Sequence, residues 1–159
     1  NQSPFPIYRL LPADFAGAKR TRQFRAVATP FLVGRDLYRS LGGFNEQLHN
    51  RFEDVDFCLT VKQAGHDVVY TPESRIIVHG SSWQPNAERD VDNRIRFYSR
   101  WTGDLWQNDE EVLQEDNLSH DGLSALYTQM AGRIATGASP SALAANAQPN
   151  DARPFSLNP

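Results

Sequence analysis

The run Glu53-Asp54-Val55-Asp56-Phe57-Cys58-Leu59-Thr60-Val61-Lys62-Gln63-Ala64, closed by Gly65, constrains this chain more than any other stretch. Its apolar positions form two adjoining stripes at helical spacing: Val55, Cys58 and Leu59, then Phe57, Val61 and Ala64. Such a pattern predicts a largely buried helix from about Glu53 to Ala64. Gly65 is the expected stop. Three acids, Glu53, Asp54 and Asp56, fall in the first turn, where the helix dipole favours negative groups. Acids there are also an ordinary helix-start signal, so alone they read as structural.

The rest of the chain supplies the partners of this helix. Residues 1–23 are punctuated by Pro4, Pro6 and Pro12 and carry a basic cluster of Lys19, Arg20 and Arg22, with Arg25 beyond. A solvated surface loop is one reading of it; a phosphate-facing loop is the other, since Arg and Lys are the usual partners of phosphate oxygens. Phe24 to Val33 reads as a buried strand, bent at Pro30. Arg35 to Leu41 reads as a short helix, stopped by Gly42-Gly43, with Phe44-Asn45-Glu46 as a turn. Two short strands are expected at His66–Tyr70 and Arg75–His79. A helix is expected at 89–101, decorated by Arg89, Arg94, Arg96 and Arg100, whose default reading is a solvated basic face. Two polar helices follow, at 109–115 and 118–133. From Ala135 the composition shifts to Ala, Ser, Asn and Pro, as in a linker or tail.

Composition excludes several classes. With 159 residues, 40% hydrophobic and 22% charged, one ordinary domain can bury a core. The formal net charge of -3 argues against a general nucleic-acid binder. There is no apolar run of the length a membrane-spanning helix needs and no signal peptide at the start. The chain begins at Asn1, which reads as a segment of something longer. Its single cysteine, Cys58, lies in the apolar helix and reads as a buried thiol.

Four pieces in order are informative together: Gly42-Gly43-Phe44-Asn45-Glu46; Phe52-Glu53-Asp54-Val55-Asp56-Phe57-Cys58-Leu59; Ala64-Gly65-His66 with the strand that ends at Pro72; and Val78-His79. This arrangement resembles the acceptor-side half of family 2 glycosyltransferases of the GT-A fold, over roughly residues 24–101. The resemblance implies an α/β fold: a partial GT-A, Rossmann-like architecture with a short mixed sheet, flanking helices and a helical C-terminal extension. The expected division is an irregular basic lead-in at 1–23, the acceptor-side half at 24–101, a helical extension at 102–134 and a flexible tail at 135–159.

The resemblance also implies roles. Asp54 matches the second acid of the family's acidic pair, the general base, and Glu53 matches the first, which helps place the acceptor. Asp56 matches the third acid; it reads as mainly structural, bonding backbone amides or an Arg, with a place at the substrate site. Gly43 is expected to border the acceptor. Trp83 and Arg89 match no family motif; their position just beyond His79 suggests contact with donor or acceptor, and a generic surface aromatic is an equal reading of Trp83. His79 matches a late histidine that touches the metal or the donor diphosphate, and imidazole suits Mn more than Mg. A histidine capping a strand is its structural alternative. The implied cofactor is a divalent metal, Mn or Mg, held mostly by an N-terminal half. The implied partners are a nucleotide-sugar donor and a glycan or other hydroxyl acceptor, with no nucleic acid. The implied place is the cytoplasm, the inner face of the membrane included.

The chain departs from the family in three places. Asn45 replaces the usual Asp, and Thr29-Pro30 stands where a glycine is common. No upstream DxD motif is present: the only such spellings are Asp54-Val55-Asp56 and Asp90-Val91-Asp92, the second inside an expected helix. Two other classes therefore stand beside the transferase reading. One is a non-catalytic carbohydrate- or partner-binding module derived from such an enzyme. The other is a structural segment docking through the Arg-rich helix.

Overall fold

Backbone groups at a helix end must find partners, and glycine lets the chain turn back to provide them. The computed structural model of the protein uses this device twice in its first unit. It describes residues 7–8, 11, 14–28, 30–49, 51–76, 87–101 and 109–135. Helix α1 (Arg35–Ser40) ends where Gly42 N–H bonds Arg39 O at 3.1 Å and Gly43 N–H bonds Tyr38 O at 2.9 Å. Helix α2 (Glu53–Gln63) ends the same way, with Gly65 N–H on Lys62 O and His66 N–H on Val61 O, at 3.0 and 3.1 Å. Gly42 and Gly65 sit at φ 85° and 81°, which a side chain would resist.

The chain divides into two compact units, Asn1–Ile7 with Thr21–Asp109, and Tyr8–Arg20 with Glu110–Pro159. Among the described residues the architecture is mixed α/β, with five α-helices and a two-stranded antiparallel sheet. The first unit holds β1 (Arg22–Phe24), α1, α2, β2 (Val68–Tyr70) and α3 (Ala87–Arg100). Strands β1 and β2 pair in the register Arg22↔Tyr70, Gln23↔Val69 and Phe24↔Val68.

Helix α2 is largely buried, as expected, and packs on two sides, but the stripes sort differently: Cys58 joins Phe57 and Val61, and Ala64 is exposed. Phe57, Cys58, Val61 and Val68 form one buried cluster, against which Ala26, Val27, Phe31, Val33, Tyr38 and Leu41 pack. Leu48, Phe52, Leu59, Phe97 and Trp101 form the other, joined by Val55 and Tyr98. Full burial of one such side chain stabilises by about 1.5–3 kcal/mol, so α2 is held chiefly by side chains rather than by its own propensity.

Two strand expectations need correction. The apolar run from Phe24 to Val33 is a strand only at its first residue. Beyond it the described residues are irregular yet still pack on α2, with Cys58 Sγ 3.7 Å from Val27 O. Pro30 has no amide to donate, and Leu32 is fully exposed, so the alternation a paired strand needs is broken. Arg75 and Ile76 are not in a strand, and residues 77–79 lie outside the described ones. The sheet among the described residues is antiparallel rather than mixed.

The second unit contains a 3-10 turn (Ala16–Lys19), α4 (Asp109–Glu115) and α5 (His120–Ala135). Asn117, at φ 54°, closes α4, with Leu118 N–H on Leu113 O at 2.8 Å. Ser119 Oγ then accepts the Gly122 N–H at 3.1 Å, capping α5. Tyr8 donates its hydroxyl to Asp116, and Arg20 Nη1 donates to Glu115 O at 2.9 Å. Arg20, from the basic lead-in, is thus bound to the negative end of a helix. Among the described residues no helix is long and apolar enough to cross a membrane.

Candidate functional site

The three acids at the start of α2 do not share one environment. The residue before them, Phe52, has a left-handed backbone (φ 68°), and no side chain caps the helix. Asp56 N–H reaches Phe52 O at 2.7 Å and begins the helical ladder. From there the acids separate by helical geometry. Positions 53 and 54 lie at the half-buried end, whereas position 56 turns inward and is 2% exposed.

Asp56 is occupied by protein. Arg100 Nη1 donates to its two oxygens at 3.1 and 2.9 Å, and Trp101 Nε1–H donates to Oδ1 at 2.8 Å. Arg100 Nη2 also reaches Thr60 Oγ1 at 3.1 Å, and Thr60 Oγ1–H bonds Asp56 O at 2.9 Å. The Arg100 guanidinium lies 4.9 Å from the Trp101 ring centroid. This carboxylate is an anchor between α2 and the end of α3. An Arg partner is what the structural reading of Asp56 expects, and both its oxygens face protein donors.

Asp54 accepts the Val55 N–H on Oδ1 at 2.8 Å and is half-buried. Glu53 beside it is half-buried too, yet its Oε2 is fully covered and has no hydrogen-bond partner among the described residues. Burial pushes the Glu53 carboxyl above its ordinary range; its own backbone amide pulls the other way, and the Asp54 charge adds to the rise. Burial likewise raises the Cys58 thiol, which fits a structural rather than a nucleophilic cysteine.

The glycine loop packs on α2 through an aromatic cluster. Gly43 (φ 73°) runs against the Tyr38 ring so closely that a Cβ there would lie 3.0 Å from it. Tyr38 Oη accepts the Phe44 N–H at 3.2 Å, and the Phe44 ring meets Phe57 of α2 at 5.6 Å. Asn45 keeps turn chemistry: its side-chain oxygen accepts the Gln47 N–H at 3.1 Å. Through Tyr38 and Phe44 the glycine loop thus packs on Phe57 of α2.

Trp83 and His79 lie outside the described residues. Arg89 lies on α3, and its side chain is also outside them. Asp90, in the second DxD spelling, pairs with Arg51 at 2.8 Å. Among the described residues no three or more His, Cys, Asp or Glu side chains come together to hold a metal ion. The second unit carries a shallow open groove of about 440 Å³ along the α4–α5 turn, lined by Asn117, Leu118 and Leu126 among others, with none of the predicted site residues.

Sequence reasoning missed Arg100, Trp101 and Asn93. Asn93 is 1% exposed and clamps the backbone of His49, donating to its carbonyl at 2.8 Å and accepting its amide at 3.1 Å. The signal available for Arg100 was indirect. A third acid facing the core needs a cation, and an Arg-Trp pair ends the next long helix.

No family model matches the chain, and no solved structure matches it. The chain is similar to y4gI, an uncharacterized protein of Sinorhizobium fredii, with 34% identity over 94 residues. That match covers 55% of this chain and 10% of the relative, so the chain spans about a tenth of the length of the curated relative it matches.

Proposed function

We propose that this chain is the acceptor-side part of a GT-A, family 2 type glycosyltransferase, with Asp54 as general base. One observation carries the reading: of the three acids, Asp56 is taken up internally, while Glu53 and Asp54 stand half-buried at the start of α2, a helix on which Phe44 of the glycine loop packs through Phe57. A base must be held firmly yet reach the proton it removes. The Val55 N–H on its Oδ1 and its partial exposure support that role for Asp54.

In the proposed reaction Asp54 takes the proton of an acceptor hydroxyl. The freed oxygen attacks the anomeric carbon of a nucleotide-diphosphate sugar from the face opposite the leaving group. The new C–O bond forms as the bond to the diphosphate breaks, so the anomeric carbon inverts and the nucleoside diphosphate departs with the bonding pair. Glu53 steadies the acceptor. In this reading Mn or Mg sits mainly on residues of a donor-binding half, with His79 as this chain's contribution. The work takes place in the cytoplasm, the inner membrane face included.

The test is Asp54→Asn in the complete protein that carries this sequence, assayed for nucleoside diphosphate release with a panel of nucleotide sugars. General-base assistance is worth about 10²–10⁴ in rate, and a loss of that order is expected. Turnover near the wild-type rate would sink the assignment. A protein that binds glycan but shows no turnover with any donor would instead be the non-catalytic module.

A further inference from the structure

One face of α3 holds His49, Arg51 and Phe52, which lead into the acidic turn. Asp90 pairs with Arg51, Asn93 clamps His49, and Phe97 stacks on Phe52 at 4.8 Å with rings 17° apart. Arg100 and Trp101 then take Asp56, and Arg100 takes Thr60 as well. The contact positions 90, 93, 97 and 100 recur at helical spacing, so a single stripe of α3 meets the chain on both sides of Asp54. Phe52 has a left-handed backbone and does not cap α2; Asp54 Oδ1 accepts the Val55 N–H within the turn, and the contacts with α3 hold the turn from outside.

We propose that Arg100 is a positioning residue that acts through Asp56 and Thr60 to set the direction of Asp54. The planar guanidinium serves two acceptors at once, which a lysine ammonium on a flexible stem does not reproduce. Trp101 Nε1–H takes the remaining bond and fixes which way the Asp56 carboxylate faces. A small rotation of this turn displaces the Asp54 carboxylate, and misplacement of a reacting group by about 1 Å can cost about 100-fold in rate.

The inference rests on the transferase reading, and the test separates the two. In the complete protein, Arg100→Lys should lower kcat about tenfold and Arg100→Met about 50-fold, with the donor KM within about twofold of wild type. In an Asp54→Asn background the same changes should cost less than about twofold, because the group they aim is gone. Equal losses in both backgrounds, or no loss in either, would overturn the positioning role while leaving the base assignment standing. A wild-type rate for Asp54→Asn alone would overturn the reading itself.

Amide hydrogen exchange on the 159-residue chain gives a readout that needs no activity. Arg100→Lys should speed exchange about tenfold at residues 54–57 and leave 61–63 unchanged. Unchanged exchange at 54–57 refutes the role whatever the kinetics show.

Discussion

Asp56→Asn isolates the anchor under the acidic turn, because it keeps the shape of the side chain and removes one acceptor. An amide has one oxygen where the carboxylate has two. If that oxygen takes the Oδ1 position, it keeps Trp101 Nε1–H, now at 2.8 Å. The amide nitrogen then meets Arg100 Nη1 at the 2.9 Å now spanned by a hydrogen bond, donor against donor. Arg100 must swing out, and its side chain, 43% exposed, can reach water. A hydrogen bond to a charged group is worth about 1.5–3 kcal/mol, and solvent screening of this half-exposed arginine reduces the expected loss to about 1 kcal/mol. Asp56→Ala goes further. It also strands the indole N–H of Trp101, which is 1% exposed, and an unsatisfied buried donor costs about 1–3 kcal/mol more. The total for alanine is then about 3 kcal/mol. For a chain of this size each kcal/mol lowers Tm by about 2–4 °C, so the asparagine variant should lose about 2–4 °C and the alanine variant about 6–12 °C. Thermal and urea melts followed by tryptophan fluorescence and circular dichroism read both. A double-mutant cycle with Trp101→Phe should return a coupling of about 1 kcal/mol. If both Asp56 variants melt within about 1 °C of wild type, the carboxylate is not anchored and is free for a ligand.

Two further outcomes follow from the site. Glu53 has its folded pKa raised from 4.5 by burial, so the folded state binds more protons than the unfolded state between the two values. Its favourable contribution is therefore fully present below the unfolded value and is lost as pH rises through the folded one. Glu53→Gln should remove that slope, and its stability relative to wild type should improve from pH 4 to pH 7 in urea melts; a constant difference would refute the burial assignment. At the glycine loop, both Gly42→Ala and Gly43→Ala should cost about 1 kcal/mol for the left-handed backbone. Gly43→Ala should cost about 1 kcal/mol more, because its Cβ meets the Tyr38 ring at 3.0 Å while that of Gly42 meets nothing within 4 Å. Equal melting points for the two would show that Tyr38 moves aside freely.

The elements most legible in the sequence are those specified within a few residues. Gly42 and Gly65 announced the ends of α1 and α2, and the apolar pattern of α2 announced that it is largely buried, though not which residues share a face. What escaped is set by distant partners. An apolar run such as 24–33 is compatible with a strand or with irregular chain laid on a helix, and only the partners available decide. Arg100 on a polar helix has the same sequence signature whether it meets water or Asp56, since its partner lies 44 residues away. The acids at 53, 54 and 56 were visible as a group, but their division into one anchor and two half-exposed members depends on which way each turns against α3.

The separation of Asp56 from Arg100 also has a consequence in time. At about 5–20 residues per second, the ribosome takes about 2–9 s to add the 44 residues between them. During that interval the acidic turn is out of the peptidyl-transferase centre with neither Arg100 nor Trp101 yet synthesised, and Phe52 has no Phe97 to stack on. A nascent chain or a truncation that stops before α3 therefore carries all three acids but not the contacts that sort them. Any functional dissection of this protein has to keep residues 49–101 on one piece.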